Sequence, residues 1–115
     1  MNPIVFRSEH FTVEVPGSPH VDRADGGHLV IYPRARVKDR TQLSPTLAIE
    51  LMKLTMIVGA AMETALNRRG VDVARINYQD NGNWGFRNAS GPALHVHLYG
   101  RARSSRQQKH GEALY

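Results

Sequence analysis

His95-Val96-His97-Leu98-Tyr99-Gly100-Arg101-Ala102 is the stretch on which the reading of this chain turns. Apolar and polar residues alternate through it, which is the period of a strand, where successive side chains point to opposite faces. Both imidazoles therefore share one face, and Val96 and Leu98 share the other. One side of the strand is suited to burial and the other carries chemistry. Taken alone, the His-x-His pair is open to three readings. It could be structural, or it could supply two ligands of a metal ion. It could also be a nucleophile with a helper, because neutral imidazole attacks phosphorus well and leaves it well.

The surroundings weigh on that choice. No third metal ligand is obviously spaced for the pair, His28 being the best candidate, and residues 81–111 contain no carboxylate. The segment leading into the histidine strand, Asn81 to Gly91, is rich in Asn, Gly and Ser. Backbone N–H groups and a hydroxyl on such a loop suit phosphate oxygens better than a cation. A plain hairpin connection has the same composition.

Length and composition bound the rest. The chain has 115 residues, enough for one small domain with a single core. Its 41% apolar and 22% charged content is that of a globular chain, and the absence of cysteine excludes disulfides and thiolate metal sites. No apolar run approaches the ~20 residues of a membrane span, and residues 1–15 lack a signal-peptide pattern, so a cytoplasmic protein with no membrane partner is expected. The net charge of +5 favours anionic partners. Much of it lies late, at Arg101, Arg103, Arg106 and Lys109, where a solvated basic tail over 103–115 reads as well as a ligand patch. That tail holds one aromatic residue, Tyr115, so it offers no stacking platform for nucleic acid.

Working outward, Val5–Phe6 and Phe11–Val15 read as two strands around a polar turn, and His28–Tyr32 as a third stopped by Pro33. Residues 16–27 are loop by composition. Ser44-Pro45 is a helix start, and the helix is expected to run to about Arg69 and end at Gly70. It carries one apolar stripe through Leu47, Leu51, Leu54, Val58, Met62 and Ala65 and a second through Ile49, Met52, Met56 and Ala60. Two stripes imply cover on two sides, with the methionines read as ordinary core packing. Ala74–Asp80 and Leu94–Tyr99 complete the order β-β-β-α-β-β, an α+β class with a five-stranded antiparallel sheet and one long helix across it.

Three segments together resemble the histidine-triad (HIT) family of nucleotide-binding hydrolases and transferases. Gly27-His28-Leu29-Val30-Ile31-Tyr32-Pro33-Arg34 is similar to the family's G-H-x-L-V-I-P-K strand, and the long helix follows where expected. Asn81-Gly82, Ser90 and Leu94 to Arg101 are similar to N-x-G … Q-S/T-x-x-H-x-H-x-H-x-x-P/G-R. The resemblance spans about residues 4–102 and implies a HIT-like domain over 1–102. Two registers are possible. The one adopted makes His95 and His97 the middle and third histidines, because Gly100-Arg101 and Ser90 then fall on the family's closing residues and its Ser/Thr.

In that register the resemblance implies His95 as nucleophile, His97 as its phosphate-binding helper, and His28, Asn81 and Ser90 as further phosphate or substrate contacts. It implies a purine nucleotide or nucleotide conjugate as partner, a homodimer, and no cofactor or metal. Three positions depart from the pattern. Ala93 stands in place of the first histidine, Ala89 in place of the Gln, and Arg36 in place of a His beyond the Pro33 strand end. These departures bear on catalysis rather than on fold, and a nucleotide-binding module without turnover is the alternative. Trp84 and Phe86 are candidates to stack on a base or to pack over the sheet edge, and Asp80 to orient a histidine. His10, His20 and His110 are given no role.

Overall fold

The computed structural model describes residues 2–81 and 89–105. The strands are β1 (Ile4–Arg7), β2 (Phe11–Glu14), β3 (His28–Pro33), β4 (Val73–Gln79) and β5 (Val96–Ala102), with the helix α1 (Pro45–Arg68) between β3 and β4. All strand pairs are antiparallel, in the spatial order β1-β2-β3-β5-β4. The expected α+β architecture is therefore the one observed. The central pair, β3 with β5, sets His28 opposite Tyr99, Val30 opposite His97 and Ile31 opposite Val96.

Local chemistry explains the boundaries. Ser44 caps α1, its Oγ accepting from the Leu47 N–H at 3.2 Å, and Pro45 takes the first turn, where a missing N–H costs nothing. The helix ends at Gly70, whose φ of 87° only glycine adopts easily. The β1–β2 turn is tied to α1 by Glu50. Its carboxylate accepts from Ser8 Oγ at 2.6 Å and the His10 N–H at 2.8 Å, and lies 2.7 Å from His10 Nδ1. The Ser8 hydroxyl foremost, and then His10, hold the Glu50 carboxyl down to a pKa of about 2.

The core lies on one face of the sheet, where Phe11, Val13, Ile31, Ile76, Val96 and Leu98 meet Leu54, Val58 and Met62 of α1. Only the first apolar stripe is used for this. Met52 and Met56 on the second stripe are each 63% exposed, with Ile49 and Ile57 beside them, so the expectation that these methionines pack in the core is corrected. A single sheet can face only one side of a helix. By length and composition α1 meets the requirement for a membrane span, which corrects the expectation that no apolar run approaches one, and one face of it closes the core.

The fifth strand begins at Val96 and reaches Ala102, later at both ends than the expected Leu94–Tyr99. Its far end is fixed by a close backbone crossing. The Gly100 N–H donates to the Gly27 carbonyl at 3.1 Å, and a Cβ on Gly100 would stand 1.9 Å from the Gly26 carbonyl oxygen. This contact pins the long loop 16–27 against β5.

A Gly100→Ala variant should lose about 2 kcal/mol or more in urea unfolding, because two backbones must separate. A Gly59→Ala variant meets only the hydroxyl end of the half-exposed Tyr78 side chain, 2.1 Å away, which can swing aside. With a gain in helix propensity of ~1 kcal/mol to offset the clash, it should stay close to wild type.

Candidate functional site

The sheet face opposite the helix gathers the ring side chains. Alternation along β3 puts His28, Val30 and Tyr32 on this face, and alternation along β5 puts His97 and Tyr99 beside them. His95 stands one residue before β5 and keeps the same orientation. Its ring meets that of His97 edge-on at 4.8 Å and stacks with Tyr32 at 5.8 Å. His28 meets His97 at 5.0 Å and Tyr99 at 4.4 Å. The structure thus brings together His28, His95 and His97, as the sequence reading expects.

A fourth imidazole joins them. His20 comes from the loop 16–27, its ring 5.1 Å from His28 and 5.9 Å from both His97 and Tyr99. Its Nδ1 lies 3.0 Å from the Tyr99 hydroxyl. The sequence reading gives His20 no role, because composition marks loop 16–27 as irregular and says nothing of where it folds. The only local signal is the Gly26-Gly27 pair, which permits the close crossing with Gly100.

The hydrogen bonds fix the direction of each imidazole. The main-chain N–H of His20 donates to His28 Nδ1 at 3.1 Å. A main-chain N–H can only donate, so His28 Nδ1 carries a lone pair and neutral His28 has its proton on Nε2. His28 Nε2 therefore donates to His97 Nδ1, 2.8 Å away, which puts the His97 proton on its own Nε2. His95 is oriented the other way. Its Nδ1 lies 2.9 Å from the Ala93 carbonyl, which can only accept, so Nδ1 holds the proton and Nε2 holds the lone pair. Side by side on one face, His95 offers a nucleophilic nitrogen and His97 an N–H donor.

For His28 and His97 the arrangement needs neutral rings, and burial favours them. His28 is 6% exposed, and burial foremost, then the charges of His97 and His20, lower its pKa to about 3. Burial likewise lowers His97 to about 4, with His95 and His20 adding to the effect and Asp80 opposing it. Burial also raises the Tyr99 hydroxyl, so it stays protonated at neutral pH.

The remaining candidates lie around this cluster. Asp80 accepts from both Nε and Nη2 of Arg40 at 3.0 Å; among the described residues it makes no direct bond to a histidine, and it acts on His97 through its charge. Asn81 is exposed, two residues beyond Gln79, which pairs with His97. Ser90 lies with Arg36, whose Nη2 donates to the Ser90 and Gly91 carbonyls at 3.2 and 2.8 Å, with Ser90 Oγ at 3.5 Å. Arg101, grouped by sequence with the basic tail, is buried in β5 and donates to Asn77 Oδ1 at 2.9 Å. Gly82, Trp84, Phe86, Arg106, Lys109, His110 and Tyr115 lie outside the described residues. Among the described residues, three metal-ligating side chains converge only at Glu9, His10 and Glu50, on the β1–β2 turn and α1 and apart from the imidazole cluster.

Several solved structures share this architecture. A Hit-like protein involved in cell-cycle regulation from Bartonella henselae superposes with a TM-score of 0.70 at 12% identity, over 90% of this chain and 73% of that one. A hypothetical histidine triad nucleotide-binding protein from Sulfolobus tokodaii gives a TM-score of 0.70 at 16% identity, over 91% and 64%. A HIT family protein from Bacillus anthracis gives 0.66 at 19%, over 89% and 65%. The fold is that of the histidine-triad proteins. No family sequence profile matches the chain, and no curated relative is found by sequence. The chain spans about two thirds of the length of the last two histidine-triad structures. The likeness therefore concerns the fold, and at this site the chain's own residues must carry the chemistry.

The buried neutral histidines make stability depend on pH. Each has a folded-state pKa below its unfolded value near 6.5, so the stabilisation is complete above that value and is lost as pH falls toward 4. Denaturant unfolding should show stability falling between pH 6.5 and 5 by up to about 1.4 kcal/mol per pH unit for each proton taken up. The stabilisation from Glu50 is fully present above its unfolded pKa near 4.5 and is lost only as pH falls below that, outside this window. A His28→Gln variant should flatten the slope; an unchanged slope would show that these rings are not held neutral.

Proposed function

We propose that this protein is a histidine-triad-like nucleotide-binding protein that transfers or hydrolyses nucleotidyl groups through His95. The observation that carries the proposal is the opposed orientation of two adjacent imidazoles, a lone pair on His95 Nε2 and an N–H on His97 Nε2. A phosphoryl group between them can be attacked by one and held by the other.

In this reading His95 Nε2 attacks the α-phosphorus of a nucleotide conjugate. A P–N bond forms, the bond to the leaving group breaks with its electron pair, and the leaving group takes a proton from solvent. The imidazole becomes cationic, and the Ala93 carbonyl, already bonded to Nδ1–H, stabilises that charge. His97 Nε2–H donates to a phosphoryl oxygen as negative charge builds there. Water, or another acceptor hydroxyl, then attacks the phosphorus and loses a proton, and the P–N electron pair returns to His95. Asn81 and Ser90 are assigned to the substrate side, as the family resemblance implies. The second reading, binding without turnover, is favoured by Ala89 and Ala93 standing where the family pattern has polar partners.

Incubation with an adenosine phosphoramidate or a dinucleoside polyphosphate separates the two. Turnover is expected, with a nucleotidyl adduct on His95 trapped by acid-free quenching and intact-mass analysis. His95→Ala should abolish it, and His97→Ala should slow it by ~10²–10³. Nucleotide binding by calorimetry with no product, and no difference between wild type and His95→Ala, would establish the binding module instead.

The same reading includes a homodimer. Ile49, Met52, Met56 and Ile57 are exposed on α1, Met56 lines a cavity with Tyr78 of the edge strand β4, and exposed apolar surface of this kind supports an interface. Light scattering at micromolar concentration should give the mass of two chains, and Met56→Glu should give that of one. A wild-type monomer would contradict the homodimer.

A further inference from the structure

Beyond β3 the chain carries Arg34, Arg36, Lys38 and Arg40 at alternate positions. Their fates differ. Arg40 is paired with Asp80, and Arg34 donates to the Glu9 carbonyl. Arg36 and Lys38 instead line a cavity of about 340 Å³ together with Gln42, Ser90 and Gly91, and among the described residues no carboxylate lines it. Among the described residues neither forms an ion pair. The acid next to Lys38, Asp39, accepts from the N–H and hydroxyl of Thr41 through one oxygen, and the Lys38 charge also acts on it. Arg36 uses Nη2 to hold the carbonyls of Ser90 and Gly91, so the guanidinium is fixed while Nε and Nη1 carry its remaining N–H groups.

The cavity is coupled to the imidazoles along both of its walls. One wall runs from Arg36 back to Tyr32, and the other from Gly91 forward to His95, four residues in each case. Tyr32 and His95 are themselves stacked, and between the walls the Leu94 N–H donates to the Val37 carbonyl at 2.8 Å. Four residues span at most ~14 Å, which bounds the separation of the cavity edge from His95. A cationic, hydroxyl-bearing recess at that reach suits phosphate oxygens, since guanidinium and ammonium groups bind them by charge-assisted hydrogen bonds.

We infer that the cavity of Arg36, Lys38 and Ser90 is a second anion subsite, which receives a phosphate of the ligand beyond the one held at His95 and His97. The inference rests on the nucleotide reading above and deepens it. It assigns to this protein ligands with an extended phosphate chain or an anionic leaving group, in preference to nucleoside monophosphates or conjugates with a neutral amine. Arg36 stands where the family pattern has a histidine, so here a departure from the pattern becomes a determinant of specificity.

Calorimetry with AMP and adenosine 5′-tetraphosphate tests the assignment. Wild type should bind the tetraphosphate more tightly, with the stronger salt dependence. The Arg36→Gln/Lys38→Gln variant should lose about tenfold in tetraphosphate affinity and leave AMP within about twofold. Lys38→Glu, which leaves the Arg36 clasp intact, should reproduce the selective loss with an unchanged melting temperature. Equal affinity for the two ligands in wild type, or an equal loss for both in the variants, would overturn the subsite. If wild type binds no AMP, the nucleotide reading fails on its own, and inorganic tripolyphosphate becomes the probe. Binding weakened by Lys38→Glu would then uphold the subsite, and no binding would overturn it.

Discussion

The chemistry of this molecule depends on one main-chain hydrogen bond, from the His20 N–H to His28 Nδ1. A side-chain partner could have donated or accepted, but an amide nitrogen leaves no choice, and each ring that follows inherits its orientation. His28 must donate to His97, and His97 must present its second N–H outward. The bond exists because loop 16–27 is pressed against β5, and the loop can approach so closely because neither Gly26 nor Gly100 has a side chain. Thus a steric permission at one end of β5 sets a proton position nearer its other end.

The same sheet divides two tasks between its faces. On the helix side, Ile31, Val96 and Leu98 meet Leu54, Val58 and Met62 and supply the burial that holds the domain together. On the other side, His28, His97 and Tyr99 pack against one another and His20, and their burial sets charge state rather than stability alone. A half-protonated cluster would repel itself and scramble the donor pattern. Desolvation keeps His28 and His97 neutral, and the Asp80 charge that opposes this at His97 is itself engaged by Arg40.

Much of this was legible in the sequence wherever a local rule governs. Ser44-Pro45 and Gly70 bound the helix, Pro33 stops β3, and the period-2 pattern of residues 95–98 puts two histidines on one face. What escaped depends on contacts distant along the chain. His20 lies 79 residues from the Tyr99 hydroxyl it meets, inside a segment whose composition shows only that it is irregular. Arg101 reads as one more surface cation until β4 is known to place Asn77 beside it. The second helical stripe is visible as a pattern, but whether sheet, loop or another chain covers it is a question of how many faces one sheet can serve.

Ala93 shows why a position has to be read by atom as well as by residue type. By the family resemblance an imidazole is missing there, and side chains alone would argue for a weakened nucleophile. In the structure, however, the group at position 93 that touches His95 is the main-chain carbonyl, which orients Nδ1–H and leaves the lone pair on Nε2. Alanine provides that carbonyl as well as histidine does. In the proposed reading, alanine at this position removes whatever a third ring would add around the phosphate and preserves the contact that leaves the lone pair on His95 Nε2. Arg36 and Lys38 line a cavity whose walls continue along the chain to Tyr32 and His95. Under the proposed subsite, the electrostatic role of the absent ring passes to Arg36 and Lys38, which a longer anionic ligand would reach.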